Sequence, residues 1–192
     1  MKSKFGHLIW VATLVIISIS IGLAGTALPA DKKGNIVMAL SIESPVFITA
    51  NDIPVRHTCD GLNISPPLVW TGVPAAAKSL ALILDDPDAP DPAAPRITWV
   101  HWVLYNLPAG INSLEEGVAV NARLALQGMN DWHQPGYRGP CPPFGKHRYF
   151  FKLYALDTML PDMQYPTKTV LEKAMRNHIL AQSELIGLYQ KH

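Results

Sequence analysis

Seventeen prolines punctuate this chain of 192 residues, in short knots rather than one tract. Proline fixes φ and carries no backbone donor, so each knot ends a regular element. Between the knots lie short apolar runs, each stopped by proline, glycine or aspartate. That alternation is the pattern of a mostly-β domain. Ile36–Ile42 is the first candidate strand, broken by Ser44-Pro45, and Val46–Ile48 a short piece after it. Asn63–Pro67 (NISPP) reads as a rigid turn, and Leu68–Trp70 resumes the extended chain. Ser79–Leu84 (SLALIL) is continuously apolar and ends on two aspartates, which suits a buried strand. In Ile97–Leu107 one face carries Trp99, His101, Val103 and Tyr105, the other Thr98, Val100, Trp102 and Leu104. Both faces are largely apolar, as in a strand covered on both sides. His147–Leu156 (HRYFFKLYAL) behaves alike. From Thr169 to Tyr189 there is no proline, and Val170, Leu171, Ala174, Met175 and His178 or Ile179 recur at helical spacing. A C-terminal helix is predicted there, capped by Thr167 or Thr169, with Gly187 at its fraying end.

Hydrophobic residues make up 48% and charged residues 16% of the chain. A chain of this balance buries a real core, which excludes wholesale disorder. The net charge of +1 offers no broad basic surface for nucleic acid. At the N-terminus, Lys2 and Lys4 precede an apolar run, Leu8 to Leu23, followed by Gly25, Ala27 and Ala30. Basic, apolar and small-residue regions in that order describe a secretory signal over 1–27, cut after Ala27 or Ala30. An uncleaved anchor is the alternative reading of the same run. A cleaved signal implies export to the periplasm or the medium, with one domain over 36–190 and no stable membrane span after signal removal. In an exported chain the two cysteines, Cys59 and Cys141, permit a disulfide, the alternative being two unlinked buried thiols. The link would close a loop of roughly 80 residues, worth about 4 to 5 kcal/mol in the chain-entropy view.

Three clusters carry chemistry. Asp85-Asp86-Pro87-Asp88-Ala89-Pro90 sets carboxylates on a proline-stiffened turn after a buried strand. His101 lies within an apolar strand. Gly136 to Tyr149 (GYRGPCPPFGKHRY) combines glycine, where a backbone can approach a ligand, with proline walls and the polar tips of Tyr137 and His147.

Taken together and in this order, these segments resemble the phosphatidylethanolamine-binding protein (PEBP) family, also called Raf-kinase-inhibitor-like proteins, from about Met38 to Tyr189. The motifs are Asp86–Pro90 (DPDAP), His101-Trp102, and Gly139–Pro143 (GPCPP) leading to His147-Arg148-Tyr149. Thr58–Gly61, Asn63–Pro67 and Tyr154–Asp157 are similar to the bacterial YbhB/YbcL-like branch. The resemblance implies a large antiparallel central sheet packed on a smaller one, with a C-terminal α-helix. It implies a pocket for phosphate-like anions and the phosphoethanolamine head group, built from Asp86, Asp88, His101, Tyr137, Gly139 and His147 and walled by Pro87, Pro142 and Pro143. It also implies inhibition or regulation of a protease or kinase-like partner, with no cofactor.

Two aspartates would repel a bare anion, so they must serve other groups. An aspartate can hold a histidine cationic toward the anion or accept the ammonium of ethanolamine. A zwitterion therefore fits better than a simple anion, and binding should weaken as pH rises past the histidine pKa. A hydrolase built on Asp, His and Tyr, or on Cys141 with His147, is the rival reading. It lacks a Gly-x-Ser-x-Gly elbow and closes to the thiol if Cys141 is bonded. The ligand types Asp86, Asp88, His101 and His147 show no short metal-ligand spacing, so no metal is expected.

Overall fold

In a computed structural model, residues 39–191 are described. The expected signal segment and the first residues of the expected strand 36–42 lie outside them. Two sheets form. The smaller has the order β1-β3-β6, all antiparallel: β1 (Ser41–Glu43), β3 (Leu68–Thr71) and β6 (Ser113–Leu114). The larger has β2 (Asn51–Asp52), β4 (Ser79–Asp86), β5 (Trp99–Pro108), β7 (Leu126–Gln127), β8 (Lys146–Leu156) and β9 (Ile179–Gln190), in the order β2-β9-β8-β4-β5-β7. Its pairs are antiparallel except β2 with β9. Fold class is thus as expected: mostly β, a large sheet on a smaller one, and, among the described residues, one α-helix, α1 (Lys168–Met175), near the C-terminus.

The large sheet is covered on both faces, which is why every residue of β4 is buried. On one face Leu80, Leu82, Leu84, Trp102, Phe151 and Leu153 pack against Ile42, Leu68 and Trp70 of the small sheet. On the other, Ala81, Ile83, Val103 and Tyr105 pack against Leu171 and Met175 of α1. Each fully buried leucine contributes about 2 to 3 kcal/mol of transfer free energy. β4 sits in the middle of the sheet, so the turn that leaves its last residue starts from a rigid base.

Two local expectations fail. The helix expected over Thr169–Tyr189 is only eight residues long. Thr167 caps it, its side chain accepting from the Val170 amide. It ends when His178 donates its amide to the Met175 carbonyl. Residues 179–190 then form β9, paired along the whole of β8 from Leu156↔Ile179 to Lys146↔Gln190. Tertiary pairing overrides helical propensity here. Gly187 is no helix end: a Cβ there would sit 2.4 Å from Ile53 Cγ1, so glycine lets that side chain close over the strand. Val46–Ile48 forms no strand; it delivers the buried Phe47 to the core.

Cys59 and Cys141 are joined, their Cα atoms 5.4 Å apart and 82 residues apart in sequence. The link ties the turn after a short 3-10 helix (Val55–His57) to the proline loop before β8. Neither cysteine is a free thiol.

Candidate functional site

Three chain segments meet at the end of the sheet where β4 stops. Asp86, the last residue of β4, faces Trp99 across the ladder, so both side chains emerge on the same face. On the other side of β4, Tyr149 and His147 of β8 reach that same face two residues apart. The register between β4 and β5 shifts at Leu84/Asp85: Leu84 pairs with Trp102 and Asp85 with Val100, leaving His101 as the extra residue. This is a β-bulge, which re-aims a side chain next to a site. The alternation expected for Ile97–Leu107 breaks there. The His101 carbonyl accepts from the Arg138 amide (3.1 Å) instead of a neighbouring strand. Its ring lies edge-on to Tyr149 and Trp132, at 5.2 and 5.0 Å between centroids.

A cavity of about 280 Å³ results. Of the site residues named from the sequence, Asp86, His101, Pro142, Pro143 and His147 line it, together with Cys141. So do Ala89, Pro90, Ile97, Trp99, Trp132 and Tyr149. Of the aromatic wall, Trp99 and Tyr149 lie two residues from a named histidine on the same strand, which is the signal that finds them. Trp132 comes from a loop and leaves no such signal.

Pro87, Asp88, Tyr137 and Gly139, expected in the pocket, stand outside its lining and support it. Pro87 sits inside a turn closed by the Asp88 amide donating to Asp86 Oδ1 (2.8 Å). The Asp88 carboxylate is occupied by Arg148, through its backbone amide, Nε and Nη2, at 2.7 to 2.9 Å. Those hydrogen bonds hold the Asp88 carboxyl below the usual carboxylate range. The Tyr137 hydroxyl donates to the His57 carbonyl (2.6 Å), and burial raises its pKa. Gly139 donates its amide to Asn63 Oδ1 (2.7 Å), and a Cβ on it would meet the His57 carbonyl at 2.3 Å. With the disulfide, these contacts fasten the proline wall to the 57–63 turn.

Asp86 and His147 form the buried polar floor, Oδ2 to Nδ1 at 2.7 Å. His147 Nε2 lies 2.9 Å from the Phe144 carbonyl. A carbonyl only accepts, so Nε2 carries a proton. A second proton is then shared between Nδ1 and the carboxyl. Burial raises the Asp86 pKa, opposed by the hydrogen bond from His147. His101 differs. Its Nδ1 donates to the Arg138 carbonyl (2.7 Å), and burial pushes its pKa down to about 4. The ring is neutral at physiological pH, with Nε2 left as an acceptor. A cationic imidazole facing an anion, as anticipated from the sequence, is therefore not found at position 101. The imidazole–aspartate pairing belongs to His147.

Two buried polar atoms of the wall have no hydrogen-bond partner: Trp99 Nε1 and Tyr149 Oη. Tyr149 is fully buried, and burial raises its pKa, so the phenol keeps its proton. An unmade hydrogen bond at a buried donor costs about 1 to 3 kcal/mol, so a ligand oxygen that accepted from either group would recover that cost. Cys141 contributes sulfur already bonded to Cys59, which closes the thiol-nucleophile route. Among the described residues no three His, Cys, Asp or Glu side chains gather into a set that could hold a metal ion.

The family model described as phosphatidylethanolamine-binding protein matches residues 43–190. The chain belongs to the PEBP family. Among relatives, a UPF0098 protein of Methanothermobacter thermautotrophicus is 50% identical over 155 residues, covering 79% of this chain and 99% of that one. A UPF0098 protein of Chlamydia pneumoniae is 46% identical over 152 residues, covering 79% and 99%. Among solved structures, a PEBP homologue from Chlamydia trachomatis shares 44% identity with a TM-score of 0.74, covering 80% of this chain and 99% of that one. E. coli YbcL, described as a member of the mammalian PEBP family, shares 28% identity with a TM-score of 0.72, covering 81% and 100%. None of these PEBP relatives is named as an enzyme.

Proposed function

We propose that this PEBP-family protein is an exported, non-catalytic binding protein whose cavity takes a phosphate-bearing head group of the phosphoethanolamine kind. The observation that carries this reading is the pair of buried donors without a partner, Trp99 Nε1 and Tyr149 Oη, on two residues that line a mostly apolar cavity with the Asp86–His147 pair at its floor. Phosphate oxygens accept from both. The faces of Trp99 and Trp132 and the Asp86 carboxyl suit a neighbouring ammonium. Because His101 is neutral and Asp86 is paired, the cavity carries no net positive charge of its own, which favours a zwitterion over bare phosphate. The basic, apolar and small-residue order over 1–27 supports export, and a disulfide suits an oxidising compartment. Regulation of a protease or kinase-like partner would act through the same mouth.

Trp99 and Trp132 make the site its own fluorescent reporter. Titration with phosphoethanolamine, inorganic phosphate and ethanolamine is expected to give saturable quenching strongest for phosphoethanolamine. Tyr149→Phe should weaken it about tenfold or more, the worth of one hydrogen bond to a charged group. Equal response to ethanolamine alone, or an unchanged affinity in Tyr149→Phe, would overturn the reading.

A further inference from the structure

The long strand β9 is the open edge of the large sheet over most of its length. Its outer neighbour, β2, meets it only at Asn51↔Gly187 and Asp52↔Leu188. Just before that pairing the chain uses the edge again. The Ala50 amide donates to the Ile186 carbonyl (2.7 Å), and the Ile186 amide donates to Thr49 Oγ1 (3.3 Å). Both backbone groups of Ile186 thus point away from β8. In an antiparallel ladder that orientation recurs at every second residue. The register with β8 runs unbroken through Lys152↔Glu184 and Tyr154↔Gln182, so Glu184 and Gln182 also turn their amides and carbonyls outward. Among the described residues no backbone group pairs with them there. From Ala181 to Leu185 the edge has no proline, no lysine and no bulge, the usual devices that keep a second chain away.

A groove of about 450 Å³ lies beside this edge. Ile42, Phe47 and Leu185 line it from buried positions, and Ile48 is 69% exposed. Glu43 and Glu184 add two exposed carboxylates, and neither has an ion pair among the described residues. Lys152 stands opposite Glu184 in the ladder but gives its ammonium to Asp85. Outward amides and carbonyls call for another backbone, the groove for apolar side chains, and the carboxylates for cations. A second copy of this chain fits less well. Pairing about a two-fold axis at Ser183 would set both Glu184 side chains on diagonal positions of one face, about 7 to 8 Å apart. The edge is also remote from the head-group cavity: Ser183 lies about 20 Å along the ladder from the Tyr189↔His147 pair.

We propose that the Ala181–Leu185 edge of β9 takes an extended basic and apolar segment of a partner protein as an added strand. Its backbone pairs with Gln182 and Glu184, its apolar side chains enter the groove beside Phe47 and Ile48, and its cations meet Glu184 and Glu43. Main-chain hydrogen bonds supply affinity in this mode, and the alternating side chains supply choice. The inference does not depend on what fills the cavity.

Fluorescence polarisation of a labelled synthetic peptide alternating lysine and valine, titrated with the full oxidised chain, tests it. Saturable binding is expected, with a glutamate–valine peptide about tenfold weaker or more. Binding should slow hydrogen exchange at the Gln182 and Glu184 amides. N-methylation of alternate peptide amides should weaken it about fivefold or more, as should Gln182→Pro, which removes an outward donor and spares the β8 ladder. Glu184→Lys leaves the backbone intact, so it tests the charge even where the proline variant fails to fold; it should bring the two peptides to equal affinity or reverse them. Phosphoethanolamine affinity should stay unchanged in both variants. Absence of saturable binding, equal binding of the N-methylated peptide, or a preference unmoved by Glu184→Lys would overturn the proposal. So would a concentration-dependent dimer that excludes the peptide, since a second copy would then occupy the edge.

Discussion

Asp85 and Asp86 are neighbours at the end of one strand, both buried, and they do opposite work. Successive side chains of a strand point to opposite faces. Asp85 therefore faces the helix layer, where it meets two ammonium groups, Lys152 Nζ at 2.8 Å and Lys168 Nζ at 2.5 Å. Lys168 opens α1, so this carboxylate pins the helix to the sheet. Asp86 faces the cavity and meets one imidazole. A carboxylate held by permanent cations is a fixture. A carboxylate held by a histidine shares a proton and responds to whatever enters beside it. One sequence motif thus splits into a structural half and a ligand-facing half.

That contrast can be broken by making the same substitution twice. Asp85→Asn leaves two partly buried lysines without the buried carboxylate they share and should cost about 3 to 5 kcal/mol in urea unfolding. Ligand affinity, measured on the protein still folded, should hold. A loss under about 1 kcal/mol would show that solvent already compensates these lysines.

The next effect belongs to the other face and is read against pH. His101 is lowered to about 4 in the fold from an ordinary value of 6.5. The unfolded chain binds the extra proton first, so this residue's contribution to stability is full above about pH 6.5. It is lost as pH falls toward 4. The span amounts to about 3 kcal/mol. His101→Gln, compared with the parent by denaturation at pH 7 and pH 4.5, should lack most of that fall. Parallel curves would mean that the ring is charged in the fold.

Lys168→Met is a smaller cut on the structural side, since Lys152 still faces Asp85. A loss of about 1.5 kcal/mol is expected, together with faster hydrogen exchange in 168–175. The smallest change is expected from Asp86→Asn. Burial already raises the Asp86 pKa, so removing its charge should alter stability at pH 7 by less than about 1 kcal/mol. Its signature lies in binding: the pH dependence contributed by the Asp86 carboxyl should vanish from the phosphoethanolamine titration.

The central strands were legible because they obey local rules. Ser79–Leu84 and His147–Leu156 are apolar or alternating runs with hard stops, and the disulfide joins the only two cysteines. β9 was not legible. Leu180, Ala181, Gln182 and Glu184 are good helix formers, and no glycine or proline marks the break at Arg176–His178. Only the length of β8 waiting beside them decides the matter. The site shows the same division. Asp86, His101 and His147 are chemically conspicuous and line the cavity. Asp88 and Tyr137 look equally reactive in one dimension, but Arg148 and the His57 carbonyl consume their polar atoms. Sequence order names the polar groups of a loop; only the packed chain says which remain unspent.

The bulge at His101 also says something about repairing proteins. Deleting that residue would let Leu84/Trp102 and Asp85/Val100 run on in unbroken register. The strand would become more regular while the molecule lost its buried neutral imidazole. A redesign scored on sheet ideality would accept that trade, polishing away the flaw through which the scaffold acquired an occupation.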